Sequence, residues 1–157
     1  TESAYSMLPP AGDAEKCHHV PVQRALDRTP PGSGAPGQRP DAAPVTLPGG
    51  PASALVCARC GHTITDLAAR VDIGGPHTHT GVNAGGHVHH FGCFSRAPGA
   101  RPVGSPEHTW SWFPGRSWQL VTCRACDVHL GWCFAGDGAP FWGLLPPSVI
   151  PATDWRT

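Results

Sequence analysis

An all-β fold stapled by a metal ion is what this sequence predicts, and three observations carry the prediction. Two Cys-x-x-Cys pairs, Cys57 with Cys60 and Cys123 with Cys126, supply four thiol ligands. Gly (20) and Pro (19) make up a quarter of the 157 residues, a load that disfavours long helices. The apolar residues fall in short runs bounded by Cys or Gly, with none of the strand and helix alternation that signals a parallel sheet.

Residues 1–50 hold nine Pro and six Gly, and Tyr5 is their only aromatic residue. Such a stretch cannot bury enough apolar surface to offset the entropy of ordering it, so residues 1–52 are expected to form a disordered tail. Within it a short, weak helix at 22–26 fits the pattern, and Cys17-His18-His19 reads as an incidental cluster. From Ala54 the composition changes. The run 55–60 (LVCARC) is expected to be a strand entering a metal knuckle, and 62–73 (HTITDLAARVDI) a strand or hairpin. A Gly- and His-rich loop is expected over 76–90, ending in a strand over 87–94 (HVHHFGCF). Pro and Gly mark 96–107 as a loop. Short strands follow at 118–123, 128–134 and 141–145. The folded domain is read as 53–152, with a C-terminal tail over 153–157. A core of about 100 residues is small, and a metal staple compensates for its limited burial.

Charge excludes several classes of function. Charged residues are 14% of the chain, and Lys and Arg (11) balance Asp and Glu (11). Such a chain lacks the basic footprint of a nucleic-acid or acidic-membrane binder. No apolar run approaches the ~20 residues that span a bilayer. The first residues show no basic start followed by an apolar core, so no signal peptide is expected. Seven Cys is an odd number, so disulfide pairing cannot account for all of them. The two pairs favour a metal in a reducing compartment, and a cytoplasmic location is expected. Cys93 and Cys133 read as small buried hydrophobes.

Each Cys-x-x-Cys places two thiolates on one tight turn, within reach of one ion at ~2.3 Å. Two such turns make a closed tetrahedral site, with zinc the best match to all-thiolate ligation and iron its rival. Because 62 residues separate Cys60 from Cys123, the ion would tie two distant hairpins and close a long loop. A closed site has no open coordination position, so its expected role is structural.

Trp112, Trp118, Trp132 and Phe134 flank the second knuckle. Three indoles and a phenyl ring are hard to pack in a small core without leaving a cleft, which points to a flat apolar pocket. The stretch WFPGRSWQLVTCRACDVHLGWCF (112–134), then FWGL (141–144), with LVCARC (55–60) and VNAGGHVH (82–89) upstream, closely resembles the thalidomide-binding (CULT) domain family of cereblon. The resemblance covers roughly 55–150 and implies a β-tent, two antiparallel sheets meeting at a steep angle and pinned by a structural zinc on four cysteines. It implies a cage for a glutarimide, thalidomide-like or uracil-like ring. Trp112, Trp118 and Trp132 would be its walls and Phe134 its floor or rear wall. Backbone groups around Trp110 and Trp112 would bond the imide edge, and Asn83 would stand near the mouth.

The chain departs from the family at Glu107-His108-Thr109-Trp110-Ser111-Trp112, where the family has a His two places before its first cage Trp. Either Trp110 occupies that His position, or His108 and Trp110 align and two residues are inserted. The resemblance is to a stand-alone, bacterial-type member, for which no ubiquitin-ligase adaptor is expected as a partner. The expected ligands are a small cyclic imide, a uracil- or uridine-like ring, or a cyclised C-terminal imide on a protein, bound without reaction.

Two enzymatic readings compete. Methionine-R-sulfoxide reductases share the fold family and need a nucleophilic thiolate on a later strand, but PFWGLL (140–145) carries Trp142 and no Cys. A His-dependent metalloenzyme could use His77-x-His79 and His87-x-His89-His90, with Asp72 the nearest carboxylate.

Overall fold

The computed structural model describes residues 47–156. The expected tail, the helix at 22–26 and the Cys17-His18-His19 cluster lie almost wholly or wholly outside these residues. Nine strands follow in order: β1 (Ala54–Cys57), β2 (Thr63–Asp66), β3 (Thr78–Val82), β4 (Val88–Phe94), β5 (Ala100–Glu107), β6 (Arg116–Cys123), β7 (His129–Gly136), β8 (Phe141–Leu144) and β9 (Val149–Pro151). They form a three-stranded sheet, β2-β1-β9, and a six-stranded sheet, β3-β4-β8-β7-β6-β5. Every pairing is antiparallel. The all-β expectation, with two antiparallel sheets and a four-cysteine cluster, describes the molecule.

Three segments differ from the sequence reading. Thr78–Val82, assigned to a loop, is β3, paired with β4 from Thr78–Gly92 to Val82–Val88. Its alternation of exposed Thr with half-buried His is that of an edge strand covered on one face. The 96–107 stretch, also read as a loop, contains β5. Pro102 and Pro106 are tolerated because β5 is an edge strand, and its register slips between Val103 and Glu107. The Gln119 side-chain amide donates to the Gly104 carbonyl at 2.8 Å and ties that irregular stretch down. The three residues of β9, closed by Pro151, pair with β1 and gave no strand signal.

The buried side chains divide into two clusters. One fills the space between the sheets, with Leu55, Ile64, Phe94, Val121, Leu130, Trp142 and Leu144. The other is aromatic: Phe91, Trp132, Phe134 and Phe141, with Trp112, Phe113 and Trp118 packed on it. Alternation along β8 separates them, Phe141 to the aromatic side and Trp142 and Leu144 to the other. Fully buried Asp66 accepts from Arg96 Nη2 at 2.9 and 3.0 Å, linking β2 to the segment after β4. Trp155, in the segment read as a tail, lies over Gly61.

A bulge in β7 decides which face its side chains take. Val121 pairs with Gly131 and Thr122 with His129, so Leu130 is the extra residue. Leu130 enters the inter-sheet core, and both His129 and Trp132 turn to the aromatic side. Gly131 makes this possible. Its φ is 146°, and a Cβ there would meet the Gly143 carbonyl oxygen at 2.0 Å. Gly131→Ala should therefore cost at least ~3 kcal/mol through strain and a clash with rigid backbone. Gly74→Ala, with φ 62° and nothing within 4 Å, should cost only the ~1–2 kcal/mol of a left-handed alanine. Urea unfolding of the two variants checks the difference, and equal losses would refute the role given to the bulge.

Candidate functional site

The two Cys pairs occupy matching turns. The Cys57 N–H donates to the His62 carbonyl at 2.9 Å, and the Cys123 N–H to the Val128 carbonyl at 2.9 Å. The Gly61 N–H returns to the Cys57 carbonyl at 2.8 Å, as the Asp127 N–H does to Cys123 at 3.0 Å. Gly61 (φ 72°) and Asp127 (φ 60°) hold the same left-handed position. Each knuckle therefore continues a strand, β1 or β6, into a turn that aims two sulfurs at one point.

The four sulfurs meet there. Cys57 and Cys126 are 3.7 Å apart, as are Cys60 and Cys123, and all four lie within 4.8 Å of one another. These gaps are too long for disulfides, whose sulfurs sit ~2.05 Å apart. They match the edge of a tetrahedron of about 3.8 Å that follows from ~2.3 Å metal–sulfur bonds. The thiols alone do not share charge evenly. The Cys123 side chain lowers the Cys57 pKa to about 5, and the same contact pushes Cys123 well up. Burial pushes Cys126 up to about 11. One thiolate is favoured and its neighbours resist ionising, so a cation is what allows all four to deprotonate. Cys57, Cys60, Cys123 and Cys126 together have the donor set and geometry of a metal site. Among the described residues no other group of three or more His, Cys, Asp or Glu converges in this way. The His-rich segments are dispersed: His79 stacks on Phe91, His90 bonds Thr80 and His89 faces the aromatic side.

On the aromatic side of the large sheet an apolar cavity of about 410 Å³ opens, walled by Trp112, Trp118 and Trp132 with Phe134 beneath. Strand pairing sets the inner wall: Trp118 lies opposite Phe134, and Leu120 opposite Trp132. Trp112 meets Trp132 edge to face at 4.9 Å and stacks on Phe91 at 5.2 Å. Its indole N–H donates to the Val82 carbonyl at 2.8 Å, anchoring it to β3. The Trp118 indole N–H donates to the Thr109 carbonyl at 2.9 Å. Both indoles are thereby fixed by their own donors, with apolar faces left for the cavity.

Asn83, Ala84 and Gly85 form the rim on the β3–β4 side. Asn83 Oδ1 accepts from the N–H groups of Gly85 (3.0 Å) and His87 (2.9 Å), an Asx-type turn that closes the hairpin. Its Nδ2 donates to His89 Nε2 at 3.3 Å. Trp110 lines the mouth, and His108 lies outside the lining.

Sequence reasoning missed His129, Leu120 and Gly81, and read His89 only as a candidate metal ligand. His89 and His129 line the cavity and meet the Trp132 ring edge to face at 5.0 and 5.1 Å. His129 donates from Nε2 to the Gly131 carbonyl at 2.9 Å. Burial holds its pKa below the usual histidine value, despite that bond, and the nearby His89 lowers it further. The signal for His89 was its place two residues before Phe91 on one strand face. For His129 no signal existed without the β7 bulge. Gly81 carries no side chain because the Trp112 indole lies where one would be, 2.4 Å from an ideal Cβ.

The metal knuckles and the aromatic cavity define a class: a small all-β domain with a four-thiolate site and an apolar cage. No protein-family model matches the chain. Among curated proteins, its sequence is similar to protein cereblon. The zebrafish (Danio rerio) protein is 37% identical over 75 residues, 45% of this chain and 17% of that protein. Cereblon of Xenopus tropicalis is 39% identical and that of Gallus gallus 36%, each over 75 residues and 17% of its length. The chain thus matches about a sixth of these relatives, and it resembles their cereblon (CULT) domain.

Gly81→Ala tests how the first wall is seated. The variant should keep both sheets but push the Trp112 indole off β3, at ~1–3 kcal/mol for overpacking. The Trp112 indole N–H resonance should lose the downfield shift and slow exchange of its bond to Val82, while that of Trp118 persists. An unchanged Trp112 signal would contradict the close packing.

Proposed function

We propose that residues 53–152 form a zinc-stabilised, non-enzymatic domain whose cage binds a cyclic imide, such as a glutarimide, or a uracil-like ring. The observation that carries this reading is the cavity itself, three indole faces around an apolar space wide enough to admit such a ring, beside exposed backbone. Such a ring has an apolar body for the indoles and an edge carrying a donor between two acceptors. Among the described residues, no hydrogen bond engages the Trp110 carbonyl or the Trp112 N–H. These groups are available to the imide edge, with Asn83 at the rim and Phe134 at the base. Similarity to cereblon supports the same reading. A C-terminal cyclic imide on a protein would present the same edge. The thiol cluster fits a reducing, cytoplasmic setting.

Reductase chemistry is less well supported. Cys93 and Cys133 are buried, and burial pushes the Cys93 pKa up to about 12, the opposite of an activated nucleophile.

Elemental analysis should find one zinc per chain. Cys57→Ser or Cys126→Ser should lose both the metal and the cooperative unfolding transition, because structural zinc binding is folding energy. A folded, zinc-free protein would refute the structural role.

Trp118→Ala or Trp132→Ala should abolish glutarimide binding with zinc retained. Loss of one aromatic anchor costs on the order of 2–4 kcal/mol, or ~30- to 1,000-fold in affinity. An N-methylated imide should bind much more weakly than its parent, because it loses the donor and leaves a protein carbonyl unpaired. Calorimetric titration checks both, and equal affinity for the N-methyl compound or undiminished binding by Trp118→Ala would sink the cage reading.

A further inference from the structure

We propose that His89 is a positioning residue for the cage: its Nε2, while it carries no proton, accepts from Asn83 and holds the rim, and taking up a proton there releases it. This latch stands on the geometry of the rim. Only its effect on a ligand rests on the cage reading.

Hydrogen-bond direction is the first reason. Asn83 Oδ1 is committed to the hairpin turn, where it accepts from the N–H groups of Gly85 and His87. Turning the amide over would set its NH2 group against those two donors. Nδ2 therefore faces His89, and at 3.3 Å it can bond only an Nε2 with a free lone pair. A second proton on the ring makes Nε2 a donor and sets two donors face to face. Asn83 cannot answer by rotating without giving up both bonds of the turn.

The place of His89 is the second. Its ring centre lies 5.0 Å from that of Trp132 and 6.0 Å from that of Trp112, so it touches two cage walls at once. Asn83, Ala84 and Gly85 line the same cavity. Breaking the bond between Asn83 and His89 either loosens this rim or turns the imidazole away from the indoles. Both change the surface that a ring in the cage would meet.

The surrounding groups complete the case. Opposite His89 on β3 stands Gly81, with the Trp112 indole where a side chain would be. The titratable neighbours are all histidines: His87 from the turn, His79 from β3, which stacks on Phe91, and His129 from β7. The cavity lining holds no Lys, Arg, Asp or Glu, so it offers a protonated His89 no carboxylate. His129 already donates from Nε2 to the Gly131 carbonyl. Burial, and then the nearby His89, hold its pKa down, so it gains charge only below the usual histidine range.

The test follows the full, zinc-loaded chain by nuclear magnetic resonance between about pH 7.5 and 5.5, where histidine changes charge. The Asn83 side-chain NH2 signals and the Gly85 and His87 amides should move together with the His89 imidazole. In His89→Gln, which keeps a neutral acceptor, that transition should be absent. Calorimetry with glutarimide is run over the same range, with zinc content measured in each sample. Affinity should fall about tenfold from pH 7.5 to 5.5 with zinc retained, and less than about twofold in His89→Gln, whatever that variant's affinity at the higher pH. Rim signals that ignore the His89 titration overturn the latch. A glutarimide affinity equally pH-dependent in His89→Gln, or independent of pH in the parent chain, overturns the positioning role. If glutarimide binds at neither pH, the cage reading fails, and the rim signals alone decide the latch.

Discussion

The convergence of Cys57, Cys60, Cys123 and Cys126 is the constraint on which the rest of the domain depends. Cys57 ends β1 in the small sheet and Cys123 ends β6 in the large one, so a metal held by these thiols bridges the two layers. The bridge closes a long loop that contains β2, β3, β4, β5 and most of β6. Such a closure stabilises by removing freedom from the unfolded chain. Trp112 and Trp118 stand on that loop, and Trp132 and Phe134 lie just past its end. A metal held there would fix both ends of the loop that carries Trp112 and Trp118, and the turn that leads into Trp132 and Phe134. Without it, the inter-sheet cluster, made largely of small and medium side chains, would have little to hold the layers in register.

The cavity follows from two local departures from regular sheet geometry. The β7 bulge turns Leu130 into the inter-sheet core and keeps His129, Trp132 and Phe134 on the other side. The missing side chain at Gly81 lets the Trp112 indole lie directly on β3 and donate to Val82. Gly143 contributes in the same manner, since a Cβ there would meet the Phe91 ring at 2.8 Å. The aromatic layer is therefore dense below and open above. Phe91, Phe134 and Phe141 are fully buried, whereas Trp112 and Trp118 are only half-buried.

Legibility varied with how local each signal was. The knuckles announced themselves through Cys spacing, and β6, β7 and β8 through short apolar runs. Trp112, Trp118, Trp132 and Phe134 line one cavity. Strand β5 was hidden because Pro102 and Pro106 read as loop residues, and only an edge position makes them compatible with a strand. Strand β3 was hidden among Gly and His, and β9 is too short to carry a pattern. His89 and His129 were obscured for a different reason. A run of histidines invites a metal reading, yet strand alternation sends His89 and His90 to opposite faces, and only a bulge brings His129 beside His89. Those depend on tertiary register, which spacing along the chain does not encode.

The central claim is that the thiol clamp and the aromatic cage stand or fall together. Stepwise removal of metal with a chelator, followed by near-ultraviolet circular dichroism of the indoles and by free-metal titration in the same sample, tests it directly. The account predicts that the indole signal disappears in proportion to the metal released and returns when zinc is restored. Quantitative loss of metal with the indole signal intact would contradict it.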